Sequence, residues 1–144
     1  MRMLWGISRG MSTGPKNLRE LAHHMPCMIN IYGHCTSPKI DAMFEFNPEP
    51  RPELWEGNHL AHLRGDTILP GVANKSHDLF GAWSCKACHD IVDGRNKNHD
   101  LTQEELTALH YSGFLKTLQW LIKMHVVLVA LNGQFIDGQG KKLF

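Results

Sequence analysis

The chain has 144 residues, 42% of them apolar, and a formal net charge of +1. That length suits one domain with a modest core, and the near-neutral charge excludes a global basic field, so any nucleic-acid contact must come from local clusters. No run of eighteen apolar residues occurs, which excludes a membrane-spanning helix.

Residues 1–15 read as a flexible extension, with Met11 as an alternative start. Met1 to Gly10 lacks an apolar stretch followed by a cleavage site, so the expected location is cytoplasmic. Residues 16–130 read as the domain and 131–144 as a tail or hairpin. Lys16 to His24 has helical composition and stops at Pro26. Cys27 to Cys35 reads as a short strand with a turn at Gly33. Residues 36–57 carry Pro38, Pro48, Pro50 and Pro52 and read as an irregular loop with an exposed Glu49-Pro-Arg-Pro-Glu stretch. Asn58 to Arg64 reads as a strand, 65–76 as a second loop, and Leu79 to Ser84 as a second strand. His89 to Gly94 opens a helix. A longer helix runs from Thr102 to His125, with Thr102 and Glu105 as a capping box and an apolar stripe from Leu106 to Ile122. Val126 to Ala130 and Gln134 to Ile136 flank Asn132-Gly133, a hairpin pattern, and the Gly-Gln-Gly-Lys-Lys tail reads as loose.

The four cysteines form two clips, Cys27 with Cys35 and Cys85 with Cys88. The second is a C-x-x-C. Two such clips read as one tetrahedral structural zinc site, because thiolates prefer a borderline-soft ion. In the cytoplasm these thiols stay reduced and available for metal. Two disulfides in a secreted protein are the alternative, and no export signal supports it. A metal staple also suits a chain with so modest a core.

Strand, loop, strand, C-x-x-C and helix follow one another, a ββα order that lets a strand histidine face a metal held by the helix. Phosphodiester hydrolysis needs an activated water and charge stabilisation at the phosphate and leaving oxygen. A neutral histidine suits the first task and one divalent ion the others. His62 fits the general base. His59 is the alternative base; it precedes His62 by three and so lies on the opposite strand face. His89 and Asp93, four apart, share a helix face and can hold the divalent ion. Asp93 as a simple helix N-terminal charge is the plainer alternative. His23 and His24 read as solvated helix-end residues, and His77, His99 and His110 as exposed. Arg64, Lys75, Lys86, Arg95 and Lys97 cluster around the motif and are candidate phosphate contacts.

His59-Leu-Ala-His-Leu-Arg, Asp78-Leu-Phe-Gly-Ala-Trp-Ser-Cys and Cys85-Lys-Ala-Cys-His-Asp-Ile-Val-Asp-Gly-Arg resemble the HNH, or His-Me finger, nuclease superfamily. Within it they are most similar to the small prophage-encoded nucleases of the YbcO type. The resemblance spans about residues 16–125. It implies an α+β fold with a small ββα-metal core, a structural zinc, a long C-terminal helix and a DNA endonuclease of phage biology using magnesium or another divalent cation in a bacterial host. By the resemblance, His62 falls on the general base, His89 on the histidine after the second clip, and Asp93 on a late helical metal position. Asp78 stands where the superfamily often carries Asn, and either it takes over that orienting role or the role is lost. The rival reading is a non-catalytic zinc module binding DNA or phage replication or recombination proteins.

Overall fold

A computed structural model describes residues 17–63 and 77–143. The expectations for residues 1–15, Lys16, Arg64, Lys75 and the 65–76 loop lie outside the described residues.

Helix α1, Leu18–Ala22, starts where the Asn17 side chain accepts the Glu20 N–H, and it buries Leu21 and Ala22. Cys27 to Cys35 forms no strand. It is a knuckle of turns, with left-handed backbone at Asn30 (φ 49°) and Gly33 (φ 83°). The Met28 N–H ties it to the Trp83 carbonyl at 2.7 Å.

The proline-rich stretch is also more ordered than its composition predicts. Asp41 caps α2, Ala42–Phe46, and Pro52 occupies the first turn of α3, Pro52–Trp55. These single turns are held by their aromatic residues. Phe44 and Trp55 are buried and meet edge to face at 5.4 Å, and the Arg51 guanidinium lies over both rings. Trp55 Nε1 donates to the Pro38 carbonyl at 2.9 Å.

Strands β1, His59–His62, and β2, Gly81–Ser84, pair antiparallel with His59 opposite Ser84, Leu60 opposite Trp83, Ala61 opposite Ala82 and His62 opposite Gly81. The pleat divides the pairs between two cores. Leu60 and Trp83 join Leu21, Met25, Phe44 and Leu121. Ala61 and Ala82 face the cysteines with Ile91 and Leu106. Helix α4, Lys86–Val92, follows β2 at once and ends at Gly94, whose φ of 84° is the left-handed cap.

Helix α5, Gln103–Lys123, carries the expected capping box between Thr102 and Glu105. Its stripe buries Leu106, Gly113, Thr117 and Leu121, while Ile122 is exposed and His125 lies beyond the helix with φ 61°. Thr117 Oγ1 accepts the Trp83 N–H at 3.0 Å and locks α5 to β2. Gly113 allows a close approach: a Cβ there would stand 3.0 Å from Ile29 Cγ1 and 3.2 Å from Ala82 Cβ.

The hairpin forms as β3, Val127–Val129, and β4, Phe135–Asp137, so it spans both sides of residue 130. The tail is not loose: Lys142 bridges to Ile136, and the Leu143 N–H reaches the Phe135 carbonyl. Among the described residues, no helix is long and apolar enough to cross a membrane.

Candidate metal centre and histidine sites

The knuckle and the start of α4 bring Cys27, Cys35, Cys85 and Cys88 together, with all four sulfurs within 4.8 Å of one another. Cys35 and Cys85 Sγ are 3.8 Å apart. A tetrahedral ion with metal–sulfur bonds of about 2.3 Å needs sulfur–sulfur edges of roughly 3.8 Å, so the cage has the right size for one ion such as zinc. Its backbone also suits thiolates. The N–H groups of Asn30, Ile31 and Cys88 point at Cys27, Cys88 and Cys85 sulfurs, each at 3.4 Å. Without a cation the thiols cannot all ionise. Hydrogen bonds from Cys27 and Cys88 pull the Cys85 thiol down, the bond to Cys85 pushes Cys27 up to about 12, and Cys27 and Cys85 push Cys88 up. A divalent ion resolves that conflict, as ligation requires deprotonated sulfur. All four cysteines are free of disulfides.

His62 lies on the Leu60 face of β1. Its Nε2 is 2.7 Å from Asp78 Oδ1, and the same oxygen accepts from Arg19 at 3.1 Å. Burial pushes the Asp78 carboxyl up, but the His62 ring and the Arg19 guanidinium outweigh it and hold the carboxyl below its usual value of 3.8. Asp78 is therefore a carboxylate near neutral pH and can only accept. His62 Nε2 therefore donates in this bond, and in the neutral ring Nδ1 has the lone pair.

The ring that stands against His89 is not that of His62. It is His59, with ring centroids 6.1 Å apart, on the Ala61 face that meets α4. The expectation that His62 occupies this helix-facing position is corrected by the register, which pairs His59 with Ser84, the residue just before the C-x-x-C. Burial lowers the proton affinity of both His59 and His89, and each is lowered further by a neighbouring histidine. Asp93 lies four residues after His89, as the spacing requires, but it caps the C-terminal end of the seven-residue α4, not its N-terminus. Its carboxylate meets Arg95 Nε at 2.9 Å. Lys86 is paired with Asp90 at 3.1 Å, so two of the expected phosphate contacts have local partners.

Two histidines read as solvated or exposed are neither. His23 Nδ1 donates to the Asn58 carbonyl at 2.8 Å, and its ring packs edge-on against His59 at 5.3 Å. His110 Nε2 donates to the Ala61 carbonyl at 2.8 Å. Asn58, which sequence reading passed over, is buried and bonds the Met25 carbonyl and Ser37, fixing the entry to β1. Arg19 reaches Asp78 across 59 residues of chain, a contact that no local pattern signals.

A family model described as "Putative nuclease YbcO" matches residues 16–126. Similar curated proteins are "Putative nuclease YbcO" of Escherichia coli (strain K12) and "Putative nuclease ybcO" of Enterobacteria phage 82. Each is 34% identical over 79 residues, 55% of this chain and 65% of the relative, so the match spans a little under two thirds of their length. A solved structure, "Structure of a putative bacteriophage protein from Escherichia coli str. K-12 substr. MG1655", aligns with a TM-score of 0.47 at 24% identity, covering 71% of this chain and 91% of that one.

Proposed function

The chain belongs to the YbcO nuclease family, and from that premise we propose that it is a metal-dependent endonuclease of the HNH type that hydrolyses DNA phosphodiester bonds. The observation that carries the mechanism is the 2.7 Å bond between His62 and Asp78. A carboxylate behind an imidazole fixes its tautomer and steadies the imidazolium that forms on proton uptake. His62 Nδ1 takes the proton of the attacking water, Asp78 holds the ring, and Arg19 holds Asp78. Asp78 thus fills the orienting role for which the superfamily often uses Asn. His89 and Asp93 would hold a catalytic divalent ion, magnesium or another, once Arg95 releases Asp93, and such an ion would supply charge stabilisation at the phosphate and the leaving oxygen. The four cysteines hold the structural zinc and take no part in chemistry, because four thiolates leave zinc no open position. The sequence order β1, β2, α4 supports a ββα-metal core. A cytoplasmic role in phage biology, alongside replication or recombination proteins, follows the phage relative.

A second reading has its own support. Arg95 occupies Asp93, and His62 lies on the other face of β1 from His89. A zinc module that binds DNA or protein without cutting it needs neither residue to converge on a substrate. Incubating the purified protein with single-stranded, double-stranded and branched DNA and magnesium, manganese, nickel or zinc separates the two. Cleavage under any of these conditions supports the nuclease, and binding without cleavage supports the module.

A further inference from the structure

We propose that the segment from Asp41 to Glu56, which carries α2 and α3, is a docking face for a protein partner that presents a basic amphipathic helix. The proposal goes beyond the nuclease reading and does not rest on it. The segment holds neither the cysteine cage nor the His62–Asp78 pair.

The two short helices divide their apolar side chains between core and water. Phe44 and Trp55 are buried against each other and hold α2 beside α3. Met43 and Phe46, three apart on α2, are 64% and 88% exposed, and Leu54 on α3 is 41% exposed. Exposed apolar side chains grouped among polar ones mark protein contacts. A large aromatic residue supplies an anchor for such a contact, and a flexible methionine adapts to the partner's shape.

Charge selects the partner. Five of the fourteen acidic residues and one of the fifteen basic ones fall between Asp41 and Glu56, so this segment carries −4 and the rest of the chain +5. Its one cation, Arg51, is committed within the segment: it pairs with Asp41 at 3.0 Å and lies over the Phe44 and Trp55 rings. Glu45, Glu49, Glu53 and Glu56 are exposed and have no ion-pair partner among the described residues. Four unpaired carboxylates repel the phosphates of a nucleic acid, so this face turns away from DNA. They attract lysine and arginine and speed the encounter with a basic surface. An apolar patch among carboxylates is the complement of a helix with an apolar face and basic flanks.

The test is calorimetry and NMR titration of the full chain with a synthetic amphipathic helix of leucine and lysine, and with its leucine–glutamate counterpart. The lysine helix should bind, move the amide signals of Met43, Phe46 and Leu54, and bind less tightly as salt rises. The glutamate helix should not bind. Phe46→Ser should weaken binding about tenfold or more, and Glu45→Gln combined with Glu49→Gln should flatten its salt dependence. Leu115→Ser, at an exposed apolar site on α5, should leave binding unchanged. A thermal transition equal to that of wild type reports that each variant is folded. No binding of the lysine helix overturns the proposal, as does equal binding by Phe46→Ser or equal binding of the two helices. Movement of the Met43, Phe46 and Leu54 signals by duplex DNA also overturns it. So does a wild-type dimer that Phe46→Ser dissociates, because the face then belongs to a second copy of the chain.

Discussion

His62 Nε2 and Asp78 Oδ1 meet at 2.7 Å across 16 residues of chain, and Arg19 closes on the same oxygen from α1. A half-exposed imidazole backed by an ionised carboxylate has one nitrogen committed and one available. On the proposed mechanism that asymmetry gives His62 a direction in which to take a proton, and Asp78, not an Asn, sets that direction.

Asp78→Ala should therefore lower the rate of DNA cleavage by about a hundredfold or more while leaving zinc content unchanged. Arg19→Ala should cost less, about tenfold or below, because its guanidinium touches Asp78 and not the imidazole and is itself well exposed. Single-turnover nicking rates with each variant check both. A rate loss in Arg19→Ala larger than in Asp78→Ala would reverse the assigned order.

The same carboxyl links stability to acidity. Its folded-state value lies below the ordinary 3.8, so the folded chain gives up this proton more readily than the unfolded one. Its contribution is complete above about pH 3.8 and is lost as the pH falls through the folded value. Urea midpoints measured from pH 6 downwards should fall less steeply at the acid end for Asp78→Asn than for wild type. Parallel curves would mean that the pair does not outlast the unfolded carboxyl.

Removing the zinc proposed for the four-cysteine cage should unfold the domain. Structural zinc binding in small modules is worth about 10–16 kcal/mol, most of it expressed as folding. A strong chelator, or Cys88→Ser, should abolish the cooperative thermal transition seen by circular dichroism. A metal-free chain that keeps its transition would show that the cysteines serve another purpose.

Gly113 tests the packing that holds α5 against the knuckle. With Ile29 and Ala82 already 3.0 and 3.2 Å from a hypothetical Cβ, Gly113→Val should destabilise by about 1–3 kcal/mol through overpacking. Urea unfolding measures it, and an unchanged midpoint would mean that the helix can retreat freely.

The features legible in sequence are those with local causes. The capping box at Thr102 and Glu105 and the hairpin around Asn132-Gly133 each follow from residues within a few positions of one another. The cysteine clips were legible because only four such residues occur, in two pairs. The features that were not legible depend on distant partners. Helices α2 and α3 are too short to announce themselves, and Phe44, Trp55 and Arg51 hold them through tertiary stacking. Strand alternation put His59 and His62 on opposite faces, but which of them meets α4 depends on the pairing of His59 with Ser84, set across the sheet and invisible along the chain. His23 read as a solvated end because its partners, Asn58 and His59, are remote in sequence.

The most direct test of the account is the nicking rate of supercoiled plasmid at saturating divalent ion, for wild type, His62→Ala and His89→Ala side by side. The account predicts that His62→Ala loses on the order of a hundredfold to ten-thousandfold in rate at unchanged cysteine-bound zinc, and that added metal does not restore it. His89→Ala should recover much of its activity as the metal concentration rises. Undiminished cleavage by His62→Ala, or no cleavage by wild type with any of the four metals, would contradict it.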